Sequence, residues 1–204
     1  MLYAQRDDQR IGPFDPNPAG AVCPVCKSRV IPKRGEVNIW HYAHAVDAEC
    51  DSWSEGVGPW HLGWQEQFPE HMREVVIGNH RADIRAGNCI LELQHSPITP
   101  HEIWERERFY GRGLIWLFDA QEAWEMERLE VFNRGDWDSF RWKHARRSII
   151  HCQQPILLHI GEGWVLEVHT KYYDKPPMRG WVTWHSEVEV VQRVLERGRG
   201  GQWW

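Results

Sequence analysis

The spacing of apolar and polar positions divides this chain into three stretches. Up to about residue 50 there is no sustained period, and the run GPFDPNPAG from Gly12 to Gly20 is turn-forming, unsuited to a long helix or a central strand. Residues 51–119 carry the clearest signals. Pro59 opens a predicted helix over 60–71, since proline suits a first helical turn. A β-rich run follows at 73–77. Two further strands, 80–85 and 89–95, flank Gly87-Asn88, a dipeptide suited to a two-residue hairpin turn. Thr99-Pro100-His101-Glu102 is a capping box with proline at the first helical position, so a helix is expected to about residue 110. Gly111 and Gly113 end it, and the apolar run 114–118 reads as a buried strand.

Beyond residue 120 a hairpin is expected from 155–160 and 164–169 across Gly161-Glu162-Gly163. Ser186 and Glu189 form a second capping box, opening a helix with Val188, Val191 and Leu195 on one face and Gly198 at its end. The glycine-rich tail after Arg197 is expected to fray. This division gives an N-terminal module at 1–52, a core at 53–120 in the order α-β-β-β-α-β, and a C-terminal α/β extension at 121–204. The fold class is α+β.

Composition narrows the class. Hydrophobic residues make up 42% and charged residues 26% of the 204, a globular balance. The net charge of −5 does not favour a nucleic-acid partner, which needs clustered cations; Arg141, Lys143, Arg146 and Arg147 form the one such cluster. Fourteen tryptophans are unusual, and an indole can pack a core or stack on a base. The opening residues lack the basic-then-apolar pattern of a signal peptide, and no apolar run approaches membrane-spanning length. The expectation is a soluble, cytoplasmic protein with no membrane partner.

Five cysteines, two of them in Cys23-Pro-Val-Cys26, suit metal-binding thiolates in a reducing compartment better than a disulfide framework. His41-Tyr-Ala-His44 and Cys50 follow at ribbon-like spacing. A structural Zn²⁺ takes four ligands, and the preferred set is Cys23, Cys26, His44 and Cys50, with His41 as the competing ligand or an outer hydrogen-bonding partner. Such an ion would stabilise a segment too short and polar to bury much core, and four protein ligands leave no open position for chemistry.

The 80–95 hairpin poses a second problem. With Gly87 and Asn88 in the turn, counting outward sets Asp83 opposite Glu92, and Gln94 shares that face. Two acids so placed repel unless they share a cation or a proton. Oxygen ligands suit Mg²⁺ or Mn²⁺, which can polarise a phosphate and acidify a water. The alternative is an exposed polar edge, or a longer turn that staggers the two acids.

These residues resemble a family. Cys23-Pro-Val-Cys26, His41-Tyr-Ala-His44 with Cys50, Arg81-Ala-Asp-Ile84, Leu91-Glu-Leu-Gln-His-Ser-Pro97, Arg106-Glu-Arg108 and Ile115-Trp-Leu-Phe118 resemble the competence protein CoiA-like nucleases, a branch of the PD-(D/E)XK superfamily. The resemblance spans about 20–119 and weakens elsewhere. It implies a restriction-endonuclease-like core in which Asp83 and Glu92 hold the catalytic Mg²⁺ or Mn²⁺. Gln94 stands where a lysine is usual and would orient water or phosphate by neutral hydrogen bonds. Glu55 and His61 fit positions before and within the first helix, whereas Val57 and Gln65 depart from a glutamate and a lysine expected there.

The function implied is metal-dependent hydrolysis of DNA phosphodiester bonds, in uptake, recombination or defence. Arg81, Arg106, Arg108 and Lys143 are the phosphate-contact candidates, with a homodimer or a DNA-processing protein as further partners. The alternative is a catalytically weak or inactive DNA-binding or adaptor protein that keeps the fold.

Overall fold

The computed structural model describes residues 1–46, 49–53 and 56–203. The chain forms two compact units, Met1–Ile84 and Arg85–Trp204.

In the first unit, β1 (Ala4–Arg6) and β2 (Gln9–Ile11) form a hairpin whose turn residues, Asp7 and Asp8, both have positive φ. A two-residue turn of the primed type requires this, and aspartate tolerates it. β3 (Val30–Lys33) pairs antiparallel with β4 (His41–His44). The core beneath these strands is thin: Ala4, Ile11, Ala21, Cys23, Val30 and Tyr42. A short helix, α1 (Pro59–Glu66), precedes the antiparallel pair β5 (Arg73–Ile77) and β6 (His80–Ala86). α1 ends before the expected residue 71 because Pro69 disfavours helix in the residue ahead of it.

The second unit is a mixed sheet. Its strands are β7 (Cys89–Gln94), β8 (Leu114–Asp119), β9 (Leu129–Asn133), β10 (Asp138–Trp142), β11 (Ile156–Gly161), β12 (Trp164–Tyr172) and β13 (Met178–Ser186). They lie in the order β7-β8-β11-β12-β13-β10-β9. The β7–β8 and β8–β11 pairs are parallel and the rest antiparallel. All of β7 is buried, as are β8 and β11 apart from their last residues, the pattern of strands covered on both faces. The helices are α2 (Pro100–Tyr110), α3 (Gln121–Glu125) and α4 (Glu187–Gly198).

Both capping boxes form as read, at Thr99/Glu102 and Ser186/Glu189. Two expectations for the C-terminus need correction. The buried stripe of α4 is Val190 and Val194, and Val188 is 63% exposed, because the helix packs one step round from the face the spacing suggested. The tail is anchored: Trp203 is buried, and its indole N–H donates to Glu167 Oε1 at 3.2 Å. β9, β10 and β13 were not read from the sequence at all.

The Gly87-Asn88 turn is built on close approach. Gly87 has φ +56°, and a Cβ there would lie 2.1 Å from the Gly198 carbonyl oxygen. Gly87→Ala combines left-handed strain with a backbone clash and is expected to cost about 2–3 kcal/mol in urea unfolding. Thr99→Ala is expected to cost about 1 kcal/mol by the same measurement. Hydrogen bonds from the Thr99 hydroxyl and backbone hold the Glu102 carboxyl below its ordinary value. A depressed folded pKa stabilises above the unfolded value, so this contribution disappears as the pH falls through the folded one. The Thr99→Ala deficit should therefore shrink in acid.

Candidate functional site

The metal centre is assembled from a loop, a strand end and the chain after it. Between Cys23 and Ser28 the backbone folds back on itself: the Lys27 N–H donates to the Cys23 carbonyl, and the Cys23 N–H to the Ser28 carbonyl. Lys27 has φ +60°, which closes this knuckle. The β3–β4 pair brings in His44, and Cys50 follows. The ligand atoms of Cys23, Cys26, His44 and Cys50 all lie within 4.8 Å of one another. Cys23 Sγ is 3.7 Å from Cys50 Sγ, and Cys26 Sγ is 3.3 Å from His44 Nε2. A tetrahedron with zinc–sulfur bonds of roughly 2.3 Å and zinc–nitrogen bonds of roughly 2.0 Å has edges near these lengths, so the donor set fits Zn²⁺. His41 is outside this group, with Nδ1 2.8 Å from the Ile39 carbonyl.

The thiols are electrostatically inequivalent. Burial pushes the Cys26 thiol up, but hydrogen bonds from Ser28, Cys50 and His44 more than offset it and bring it to about 6. Cys50 is pushed up to about 11 by burial and by its cysteine neighbours.

A second polar group in the first unit surrounds Asp83 on β6. His61 Nε2 on α1 lies 2.9 Å from Asp83 Oδ1. Gln65, one helical turn on, donates from Nε2 to the Asp83 backbone carbonyl at 3.4 Å. Residues four apart share a helix face, so α1 presents His61 and Gln65 together. Gln65 is fully buried, and its Oε1 has no hydrogen-bond partner among the described residues. Such an atom costs roughly 1–3 kcal/mol unless something fills its lone pairs. Glu55 lies outside the described residues.

Arg81 is committed elsewhere: its side chain is buried, with Nε 3.7 Å from Glu74, whose carboxylate also accepts the Leu2 and Tyr3 N–H groups. Asp51, which the sequence reading did not single out, accepts the Arg81 N–H at 2.8 Å and lies 2.8 Å from His80 Nδ1. Trp53 stacks on that imidazole.

In the second unit, Glu92 and Gln94 on β7 meet Arg106 from α2. Arg106 donates from one guanidinium nitrogen to Glu92 Oε2 at 3.4 Å and to Gln94 Oε1 at 3.2 Å, and Gln94 Nε2 donates to the Ser96 carbonyl at 2.8 Å. Glu92, Gln94 and Arg106 are all at most 4% exposed. Arg106 therefore serves a buried carboxylate rather than the surface. Arg108 is exposed and lies over the Trp104 ring.

The basic cluster around residue 143 is largely engaged within the fold. Arg141 and Lys143 both approach Glu130, and Arg146 donates to the carbonyls of Gln94, His95 and Ser96. Charge counting along the chain could not foresee that Glu130 pairs with Arg141 across two strands.

Residues 21–52 match the family model described as Competence protein CoiA, N-terminal domain. That stretch holds all four candidate zinc ligands and stops short of Asp83 and Glu92. Neither a curated protein nor a solved structure gives a significant match.

The cluster predicts zinc bound at one ion per chain by metal analysis. Cys26→Ala should lose it, and strong chelators should lower the melting temperature of the wild-type protein, because the small core of this module gives the ion much of the stabilising role. His41→Ala should retain the ion.

Proposed function

We propose that this protein is a metal-dependent nuclease that hydrolyses DNA phosphodiester bonds in DNA processing, with competence as the first setting to examine. The observation that carries the reading is the polar group around Asp83: a carboxylate held by His61, beside a buried glutamine oxygen with an unfilled acceptor site. An unfilled acceptor beside a carboxylate is a place where an ordered water or an ion can sit. The match to the CoiA N-terminal domain supports the competence setting, and the Cys₃His cluster supports a zinc module ahead of the catalytic residues.

The reading takes Asp83 and Glu92 as ligands of one Mg²⁺ or Mn²⁺, on the hairpin register counted from the sequence. Both are carboxylates, the donor type such ions select. When bound, the ion supplies charge to the phosphoryl oxygens and acidity to a water. His61 holds the Asp83 carboxylate in one orientation, and Gln94 orients water or phosphate through neutral hydrogen bonds. Glu55 is the third acid of the proposal, and the exposed Arg108 and Lys143 offer phosphate contacts. The zinc cluster, closed by four protein ligands, is structural.

One observation favours a second reading, a DNA-binding or adaptor protein without turnover: Arg106 already lies against Glu92, and an incoming ion has to share or displace that guanidinium.

Labelled single- and double-stranded DNA with the full chain, titrated with Mg²⁺ and Mn²⁺, separates the two. The nuclease reading expects ion-dependent cleavage that Asp83→Ala and Glu92→Ala each reduce at least about a hundredfold, the scale of a lost catalytic group. His61→Ala should weaken the response to Mn²⁺ about ten- to a hundredfold, as removal of a ligand-orienting partner does. DNA that shifts on a gel but stays intact at every ion concentration assigns the adaptor role instead. Cleavage untouched by both acid variants would sink the proposed site.

A further inference from the structure

The strands without a signal in the sequence, together with β12, build a distinctive surface. β9, β10, β13 and β12 lie side by side, and their registers line up two rows on one face. Phe132, Ser139 and Trp181 are successive cross-strand partners, followed by Thr170. Two residues along, Glu130, Arg141, Arg179 and Tyr172 form the next row. Directly opposed residues project from the same face, so each row is a continuous strip. The alternate positions Phe140, Trp142, Met178 and Val182 are buried and form the core side. Gly180 is required beneath: a Cβ there would meet the Thr170 carbonyl oxygen at 1.7 Å and the Phe140 ring at 2.7 Å.

The outer face bears a cleft of about 960 Å³, lined mainly by aromatic rings and by Arg134, Arg141 and Arg179, with Asp136 also in the lining. Phe132 is 37% exposed, Trp137 49%, Tyr172 66% and Trp181 44%. These are large values for four aromatics at one place, and core packing does not explain them. Trp137 and Trp181 meet edge to face at 6.4 Å, which fixes their orientation. The Arg134 guanidinium lies 5.7 Å from the Phe132 ring centre and donates to Ser139 Oγ. Arg141 is paired with Glu130. Arg134 and Arg179 are exposed, and neither has a carboxylate partner among the described residues.

We infer that this cleft binds single-stranded DNA, with unpaired bases stacking on Trp181, Trp137 and their aromatic neighbours and phosphates meeting Arg134 and Arg179. Exposed ring faces interleaved with unneutralised guanidiniums suit a flexible polyanion with flat bases. A duplex hides its base faces within its own stack and can engage only the arginines. A protein segment would leave the two cations unmatched unless it were acidic. With Glu130 on Arg141 and Asp136 in the lining, the cleft keeps a small positive excess in a chain whose net charge is −5. The binding stands on the C-terminal sheet alone; only its use in feeding a strand to cleavage rests on the nuclease reading.

The test is fluorescence anisotropy of a labelled thymidine oligomer with the full chain, without added Mg²⁺ or Mn²⁺, against a duplex of equal length. The single strand should bind at least tenfold more tightly than the duplex. The double variant Trp137→Ala/Trp181→Ala should weaken it at least tenfold, whereas Trp181→Phe, which keeps a ring face, should stay within about threefold. Arg179→Glu should both weaken binding and flatten its dependence on salt. Circular dichroism melts confirm that each variant is folded, which the exposure of these side chains favours.

Absence of oligomer binding, or affinity unchanged in the folded double variant, overturns the inference. So does self-association that the same variant abolishes while no oligomer binds, which would make the occupant a second copy of this chain. Oligomer binding that depends on Trp181 in a protein that never cleaves DNA removes the nuclease reading alone. Cleavage that needs Asp83 but is indifferent to Trp181, with no binding of the thymidine oligomer, removes this inference alone.

Discussion

A carboxylate taken out of water has to be met by a cation or by hydrogen-bond donors, and that requirement organises the polar interior of both units. In the first unit Glu74 collects two backbone N–H groups and a guanidinium, Asp51 two backbone N–H groups and an imidazole, and Asp83 an imidazole. In the second, Glu92 has Arg106, and Glu167 has His185 and the Trp203 indole. Three of these acids anchor distant parts of the chain: Glu74 ties down the opening residues, Asp51 the start of β6, and Glu167 the C-terminal tail. Glu92 and Asp83 differ in that their partners share the space with glutamine side chains, Gln94 and Gln65. A glutamine offers a donor and an acceptor without charge.

The zinc module solves a different problem by related means. Its apolar interior consists mostly of small residues around Tyr42, and the turn-rich chain before Cys23 cannot enlarge it. Four soft and borderline ligands drawn to one point could, with a bound ion, replace the missing apolar area. The knuckle, the β3–β4 pair and the segment after it are each local, and the ligands hold them in mutual register. An ion held by all four protein ligands would have no vacant position, so hydrolytic chemistry would have to reside elsewhere in the chain.

The two halves of the second unit differ in what they do with their faces. β7, β8 and β11 are covered on both sides, so any polar side chain there is a commitment that its neighbours must satisfy. β9, β10, β13 and the second half of β12 are antiparallel and open on one side, which frees that part of the face for rings and guanidiniums. The same sheet thus provides a buried setting for Glu92 and Gln94 and an open one for Trp181 and Arg179.

Local features were legible in the sequence because they depend on neighbours in the chain. The capping boxes at Thr99 and Ser186, the Gly87-Asn88 turn, the buried strand at 114–118 and the Cys23/Cys26 knuckle all follow from short-range geometry. Spacing also made Cys23, Cys26, His44 and Cys50 the preferred set, while only the fold leaves His41 outside it. Partner choice across the fold was not legible. That Arg106 would turn inward to Glu92, that Arg81 would be held by Glu74, and that Glu130 would neutralise Arg141 are outcomes of strand order and helix docking. The alternation of β13, with exposed tryptophan and threonine against buried valine and methionine, had no turn signal to announce it and no partner to give it meaning. Sequence fixes what each residue can do over a few ångströms, whereas only the tertiary arrangement decides which charges meet and which rings stay in water.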